Sequence, residues 1–267
     1  MRRALLAHQQ LLAGVRGQVV RFVEASWRAL PDYRDEAIAR FVGQVVPVVL
    51  GGQQRIAQLT VANLQVLERL LAGEGRRQVF DTRQITVEAL RGVPADEVYR
   101  RAGVSVWSAL ADDADLSTAI DRGRRRAVSI ATTDLQLAQT HSAQQVIESS
   151  DRIVGYRRVL TGAEDCALCA IASTQRYRKA ELMPVHPGCD CTVAPIIGDT
   201  DPGQVINAEL LERTHADIAA RFGEFEAGAR EIPNTQVLYR DVMVRRHGEI
   251  GPVLTIRGHE FTGPDDI

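Results

Sequence analysis

Four cysteines stand between positions 166 and 191 and the chain has no others, in the order Cys166-Ala-Leu-Cys169 and then His186-Pro-Gly-Cys189-Asp-Cys191. A C-x-x-C pair lets two thiolates grip one ion from a single tight turn. A following H-P-x-C-x-C segment supplies further donors, as in zinc ribbons and knuckles, whose tetrahedral sites close with Zn–S near ~2.3 Å. Five donors, Cys166, Cys169, His186, Cys189 and Cys191, compete for four positions. Cys189 and Cys191 share a face if their segment is extended, whereas in a turn one of them points away. We expect structural zinc on Cys166, Cys169, His186 and Cys191, with Cys189 as the alternative fourth ligand. Disulfides and unliganded thiols are the competing states, and a reducing compartment favours metal.

The same residues point away from catalysis. A zinc deaminase would show H-x-E and P-C-x-x-C. Here Cys166 follows Asp165, and His186-Pro187-Gly188 carries no glutamate. The C-x-x-C pair has no βαβ context of the thioredoxin kind. Gly51-Gly52 and Gly73-Glu74-Gly75 lack the Lys-Ser/Thr of a phosphate loop, and no G-x-S-x-G elbow occurs. The loop between Cys169 and His186 is polar, with Gln175, Arg176, Arg178, Lys179 and Glu181, and can bury little apolar area. An ion contributing about 10 kcal/mol would hold such a module together. The expectation is a closed structural site in a protein that is not an enzyme.

The elements around this cluster are of two kinds. Up to about residue 150 the apolar residues follow helical spacing. Leu5, His8, Leu12, Val15, Val19 and Phe22 form one stripe that ends at Pro31. A second helix is expected from Asp32 to about Leu50 and a break at Gly51-Gly52. A third then carries Ile56, Leu59, Asn63, Val66, Leu67 and Leu70 to Gly73, where glycine can close it in the left-handed conformation. An exposed connector follows over 73–84. A short helix is expected around Thr86–Arg91 and a longer one from Ala95 or Asp96. A polar helix should run from near Ser117 to about Ser150, its start flanked by Asp112, Asp113 and Asp115.

After Ser150 the pattern changes to alternation, predicting strands over 153–161 and 192–197. A helix is expected from Val205 to about Gly228. Val237, Tyr239, Val242 and Val244, then Val253, Leu254 and Ile256, suggest a small hairpin. The fold class is therefore α+β: a mainly helical N-terminal region, 1–150, followed by a small metal-stapled α+β module, 151–267, with C-terminal strands.

A hydrophobic fraction of 45% with 25% charged residues fits a globular chain. No apolar run approaches the ~18–20 residues of a membrane helix, and His8, Gln9 and Gln10 interrupt what begins like a signal peptide. We expect no membrane partner. The net charge of −2 argues against a general nucleic-acid coat. Lys179 is the only lysine among 32 Lys and Arg residues, a bias that fits a GC-rich genome. The densest positive run, Arg122-Gly123-Arg124-Arg125-Arg126, reads as a solvated helix face answering Asp112, Asp113 and Asp115, with phosphate contact as the alternative.

From Tyr156 to Pro195 the chain resembles the phage Mu F-like minor head proteins. Their signature is a strand with Arg or Tyr, a Thr-x-x-x-x-Cys-x-x-Cys turn, a loop with a basic or aromatic residue, and a Pro-x-His-Pro-x-Cys-x-Cys closure. The matching residues are Thr161, Cys166, Cys169, Tyr177, and Pro184-Val185-His186-Pro187-Gly188-Cys189-Asp190-Cys191. Asp190 departs from the arginine common between the last two cysteines of that family. The resemblance implies a non-enzymatic, low-copy virion protein that is incorporated with the portal and serves assembly or DNA ejection. Its main partner would be the portal protein, with the major capsid or scaffolding protein as a further one and at most weak contact with packaged DNA. Its location would be the capsid interior near the portal vertex, reached from the host cytoplasm. The rival expectation is a zinc-ribbon-like nucleic-acid-binding module that uses Arg124, Arg125 and Arg126.

Overall fold

The structure, a computed structural model, describes residues 1–73, 80–160, 169, 172–173, 175–182, 191–202, 242–247 and 251–256. Five helices come first: α1 Arg2–Arg28, α2 Asp35–Ala72, α3 Val87–Arg91, α4 Ala95–Ala111 and α5 Leu116–Ser149. Strands follow: β1 Ile153–Val159, β2 Arg176–Arg178, β3 Thr192–Ile197, β4 Val242–His247 and β5 Gly251–Ile256. The molecule is thus mainly helical, with a small antiparallel sheet of order β2-β1-β3 after the helices. β4 and β5 pair antiparallel from Val242↔Ile256 to His247↔Gly251, the hairpin expected from the sequence. The helix expected over Val205 to Gly228 lies outside the described residues. No helix among the described residues is long and apolar enough to cross a membrane.

The buried stripe of α1 runs Leu5, His8, Leu12, Val19, Val23 and Trp27. Phe22, expected on that stripe, is 39% exposed. From Val19 onward the ridge advances in steps of four, because Trp27 must reach Phe41 of α2, with ring centroids 5.1 Å apart. Its indole donates to the Ile120 carbonyl of α5 at 3.2 Å.

The expected break at Gly51-Gly52 does not occur: α2 is one helix of 38 residues. Gly52 is there for packing. A Cβ on it would stand 2.7 Å from Val19 Cγ2 and 3.0 Å from Leu135 Cδ2, so the missing side chain is what lets α1 and α5 close onto α2. Pro47 also lies inside α2. It and Gly43, whose carbonyl it leaves without a helical donor, are both exposed, so water can serve that oxygen. Gly73 ends the helix at φ 74°, as its position predicted.

α5 has a polar sequence and a central position. It packs against α1, α2, α3, α4 and β1, and it buries Thr133, Asp134, Gln136, Gln139 and Ser142 beside its apolar residues. Asp134 receives Arg91 of α3 and the Tyr99 hydroxyl of α4, the latter at 2.7 Å, and Gln53 of α2 donates to its carbonyl at 3.3 Å. Burial, with Asp134 beside it, pushes the Tyr99 hydroxyl well above its ordinary value.

Apolar residues collect in two clusters. One fills the space among α1, α2, α4 and α5. The other joins Leu5, Val61, Leu64, Leu67, Val146 and Ile147 to Ile153, Tyr156, Val159, Val193, Ala194 and Ile197. The sheet therefore shares its core with the ends of α1, α2 and α5. Buried His8, Thr60 and Gln139 stand in sequence where α1, α2 and α5 pass from residues of one cluster to residues of the other.

Candidate metal centre

β1 forms the floor of the cysteine region. It is the middle strand, with Tyr156 opposite Tyr177 of β2 and Pro195 of β3, and Arg158 opposite Val193. β2 was not foreseen as a strand. It approaches closely because Gly155 has no side chain: a Cβ there would lie 2.5 Å from the Tyr177 carbonyl oxygen. A register shift between Ile153 and Gly155 turns Val154 outward, 53% exposed.

Tyr156 and Tyr177 stack with centroids 5.1 Å apart and planes 13° from parallel. The Arg158 guanidinium lies over the Tyr177 ring, 5.4 Å from its centroid. Its Nη1 donates to Cys191 Sγ at 3.5 Å. The Tyr177 hydroxyl donates to the Ala172 carbonyl at 2.8 Å, three residues beyond Cys169. One Tyr–Arg stack thus reaches both the Cys191 sulfur and the Ala172 carbonyl. Burial pushes the Tyr177 phenol up to about 12; the Arg158 charge opposes that rise, while the Cys191 and then the Cys169 thiol add to it.

Their settings differ. Cys169 is 2% exposed, beside buried Ala172 and Ser173. Cys191 is half-buried just before β3, and its carbonyl accepts from Gln139 of α5 at 3.3 Å. Cys166, His186 and Cys189 lie outside the described residues, so the expected set of five donors is seen here in two members. No group of three or more His, Cys, Asp or Glu placed to share an ion occurs among the described residues.

The segment between the arms is pinned to α5. Gln144 donates to the Lys179 carbonyl at 2.9 Å and accepts from Leu182 N at 3.1 Å. Lys179 Nζ donates to the carbonyl of Ser150, the residue that ends α5, at 2.5 Å. A cation at a helix C-terminus complements the dipole, so the single lysine has a structural use. Asp201 clasps Arg157 through Nε at 2.6 Å and Nη2 at 2.9 Å, and also pairs with Arg176 at 3.0 Å. Without that carboxylate, Arg157 and Arg176, directly paired across β1 and β2, would repel.

The arginine run on α5 has other partners than those expected. Arg124 pairs with Glu24 of α1 at 2.7 Å and with Asp121 at 2.8 Å, and Arg125 pairs with Asp121 at 3.5 Å. Asp115 instead caps α5, accepting from Thr118 N and from the Ser117 and Thr118 hydroxyls. Those bonds, the Ser117 hydroxyl first, hold its carboxyl well below the usual carboxylate range. Gly123 inside the run admits Trp27, whose Cζ2 would be 2.4 Å from a Cβ.

A family model described as VG15 protein matches residues 1–217, which take in all five helices and the three-stranded sheet. The chain belongs to the VG15 family. It is a family of phage proteins. No curated protein and no solved structure matches the chain. The VG15 match includes the whole cysteine window, so that window is part of the family's body rather than an appendage.

Proposed function

We propose that this VG15 protein is a structural component of the phage head, a minor capsid protein that acts with the portal during assembly. The observation that carries this reading is the phage-family match over 1–217. The Mu F-like arrangement of Cys166, Cys169, Tyr177, His186, Cys189 and Cys191 makes it specific. We assign the docking surface to the helical region, whose α1, α2 and α5 carry the three-stranded sheet at their ends.

Zinc is the ion we propose for the cluster. The donors are soft thiols with one imidazole, a set that suits zinc. Cys191 Sγ receives an N–H donor of the kind that accompanies metal-bound thiolates, from a guanidinium that also covers Tyr177, whose hydroxyl holds the Ala172 carbonyl three residues beyond Cys169. Cys166, Cys169, His186 and Cys191 or Cys189 would hold the ion. When bound, zinc supplies a tetrahedral cross-link between the two arms and no reaction. The burial of Cys169 and the anchoring of the loop to α5 favour a closed site over one open to substrate. We accordingly assign no catalytic activity.

Co-expression of the full chain with the portal protein of the same phage tests the role. We expect the two to co-elute and the chain to be found in purified procapsids at low copy. Heads of normal composition and yield from a phage lacking the gene would contradict it.

A further inference from the structure

We propose that Arg158 and Tyr177 are positioning residues of the thiol site: Arg158 orients the Cys191 sulfur, and Tyr177 anchors the chain three residues beyond Cys169 through the Ala172 carbonyl. This rests on the zinc reading above and adds to it which side chains, besides the ligands, set the affinity.

The geometry is specific. Arg158 is 3% exposed, so its charge is seated inside the module rather than in solvent. One of its nitrogens donates to Cys191 Sγ at 3.5 Å while the guanidinium plane covers Tyr177. Tyr177 in turn is fixed three ways: by stacking on Tyr156, by the pairing of β2 with β1, and by its hydroxyl on the Ala172 carbonyl. The path Cys191–Arg158–Tyr177–Ala172 thus runs from the last cysteine to a carbonyl three residues beyond Cys169, with Arg158 and Ala172 buried along it. An N–H donor on a coordinating sulfur spreads the negative charge that several thiolates place on one ion, and loss of such partners costs ~10–100-fold in metal affinity. Arginine does this where lysine would not, because its planar fork can lie on a ring and still present a donor at its edge.

The test uses the full chain, reduced and loaded with zinc, with affinity read by competition against a chromophoric chelator. Cobalt loading supplies a second readout, the sulfur-to-cobalt charge-transfer band. Arg158→Met is expected to weaken zinc ~10–100-fold and to shift the cobalt band. In a Cys191→Ser background the same substitution should change affinity less than ~3-fold, because the sulfur through which Arg158 acts is gone. Arg158→Lys keeps a buried cation and most of the packing, and so guards against simple misfolding. It should still lose at least ~3-fold, since the shorter single donor cannot both cover the ring and reach the sulfur. A folded Arg158→Met or Arg158→Lys protein with wild-type affinity and an unshifted cobalt band overturns the inference and leaves the zinc reading standing. An undiminished effect of Arg158→Met in the Cys191→Ser background overturns it as well. Wild-type protein that binds neither metal overturns both.

Discussion

Adjacent glycines in α2 offer a sharp check of the packing, because the same substitution should have opposite signs one residue apart. Gly51 is exposed, helical and has nothing within 4 Å of the position a Cβ would take. Alanine there removes the conformational cost of glycine in a helix interior, about 0.8–1.0 kcal/mol, and should stabilise the protein by about that amount. Gly52→Ala gains the same helix term but places its methyl 2.7 Å from Val19 Cγ2 and 3.0 Å from Leu135 Cδ2. Val19 is β-branched and stiff, and it is buried between helices, so α1 must move rather than one rotamer. Overpacking of this kind costs about 1–3 kcal/mol, which offsets or exceeds the helix gain. Gly51→Ala should therefore unfold later than wild type in urea, and Gly52→Ala earlier or at best alongside it. If the two variants shifted equally in the destabilising direction, α2 would be interrupted at the pair, and the closure of α1 and α5 onto it would be wrong.

Other expectations follow from the polar interior and the loop anchors. Asp134→Asn should cost about 3–5 kcal/mol in chemical denaturation, since it leaves the buried Arg91 without its carboxylate. Burial holds the His8 imidazole down to about 4. The unfolded chain therefore binds the extra proton first as pH falls below about 6.5, and stability should drop by up to about 3 kcal/mol between there and pH 4. His8→Leu should lack that part of the pH dependence, as seen in denaturation midpoints compared at pH 7 and pH 4.5. Gln144→Leu should speed hydrogen exchange of the Leu182 amide by at least ~10-fold, because it removes the side-chain acceptor of that N–H, while global stability changes by about 1 kcal/mol. Equal exchange in the two proteins would show that the loop is held by something else.

The parts of the fold that could be read from the sequence are those set by local chemistry. Gly73 closes α2, Thr86 caps α3 by accepting from Ala89 N, and Asp115 caps α5, each by an interaction within a few residues of itself. The strands at 153–159 and 192–197 and the hairpin of β4 and β5 showed in their β-branched runs. Failures arose where a distant partner decides. Gly51-Gly52 looks like a breaker until Val19 and Leu135 are brought beside Gly52. Spacing put Phe22 on the α1 stripe, whereas Val23 is buried there because the ridge leads to Trp27, which meets Phe41. α5 is polar in sequence yet central in the fold, because its buried Asp134 is met by Arg91, Tyr99 and Gln53, none of which is near in sequence.

The candidate site divides in the same way. Cysteine spacing marked Cys169 and Cys191, and the Mu F-like resemblance marked Tyr177. Spacing alone could not mark Arg158, Gln139, Gln144 or Lys179 as supports, since each serves the site across a long sequence separation. A weak signal did exist: an arginine on the strand face shared with Tyr156 is an expensive thing to bury without an electronegative partner.

The account depends most on the two cysteine arms meeting on one ion. Metal analysis of the full chain, purified under reducing conditions, measures this directly when paired with a count of alkylatable thiols before and after chelation. We predict one zinc per chain, thiols shielded until the metal is removed, and loss of that zinc in Cys169→Ser and Cys166→Ser. Metal-free wild-type protein whose cysteines all alkylate at once would contradict it.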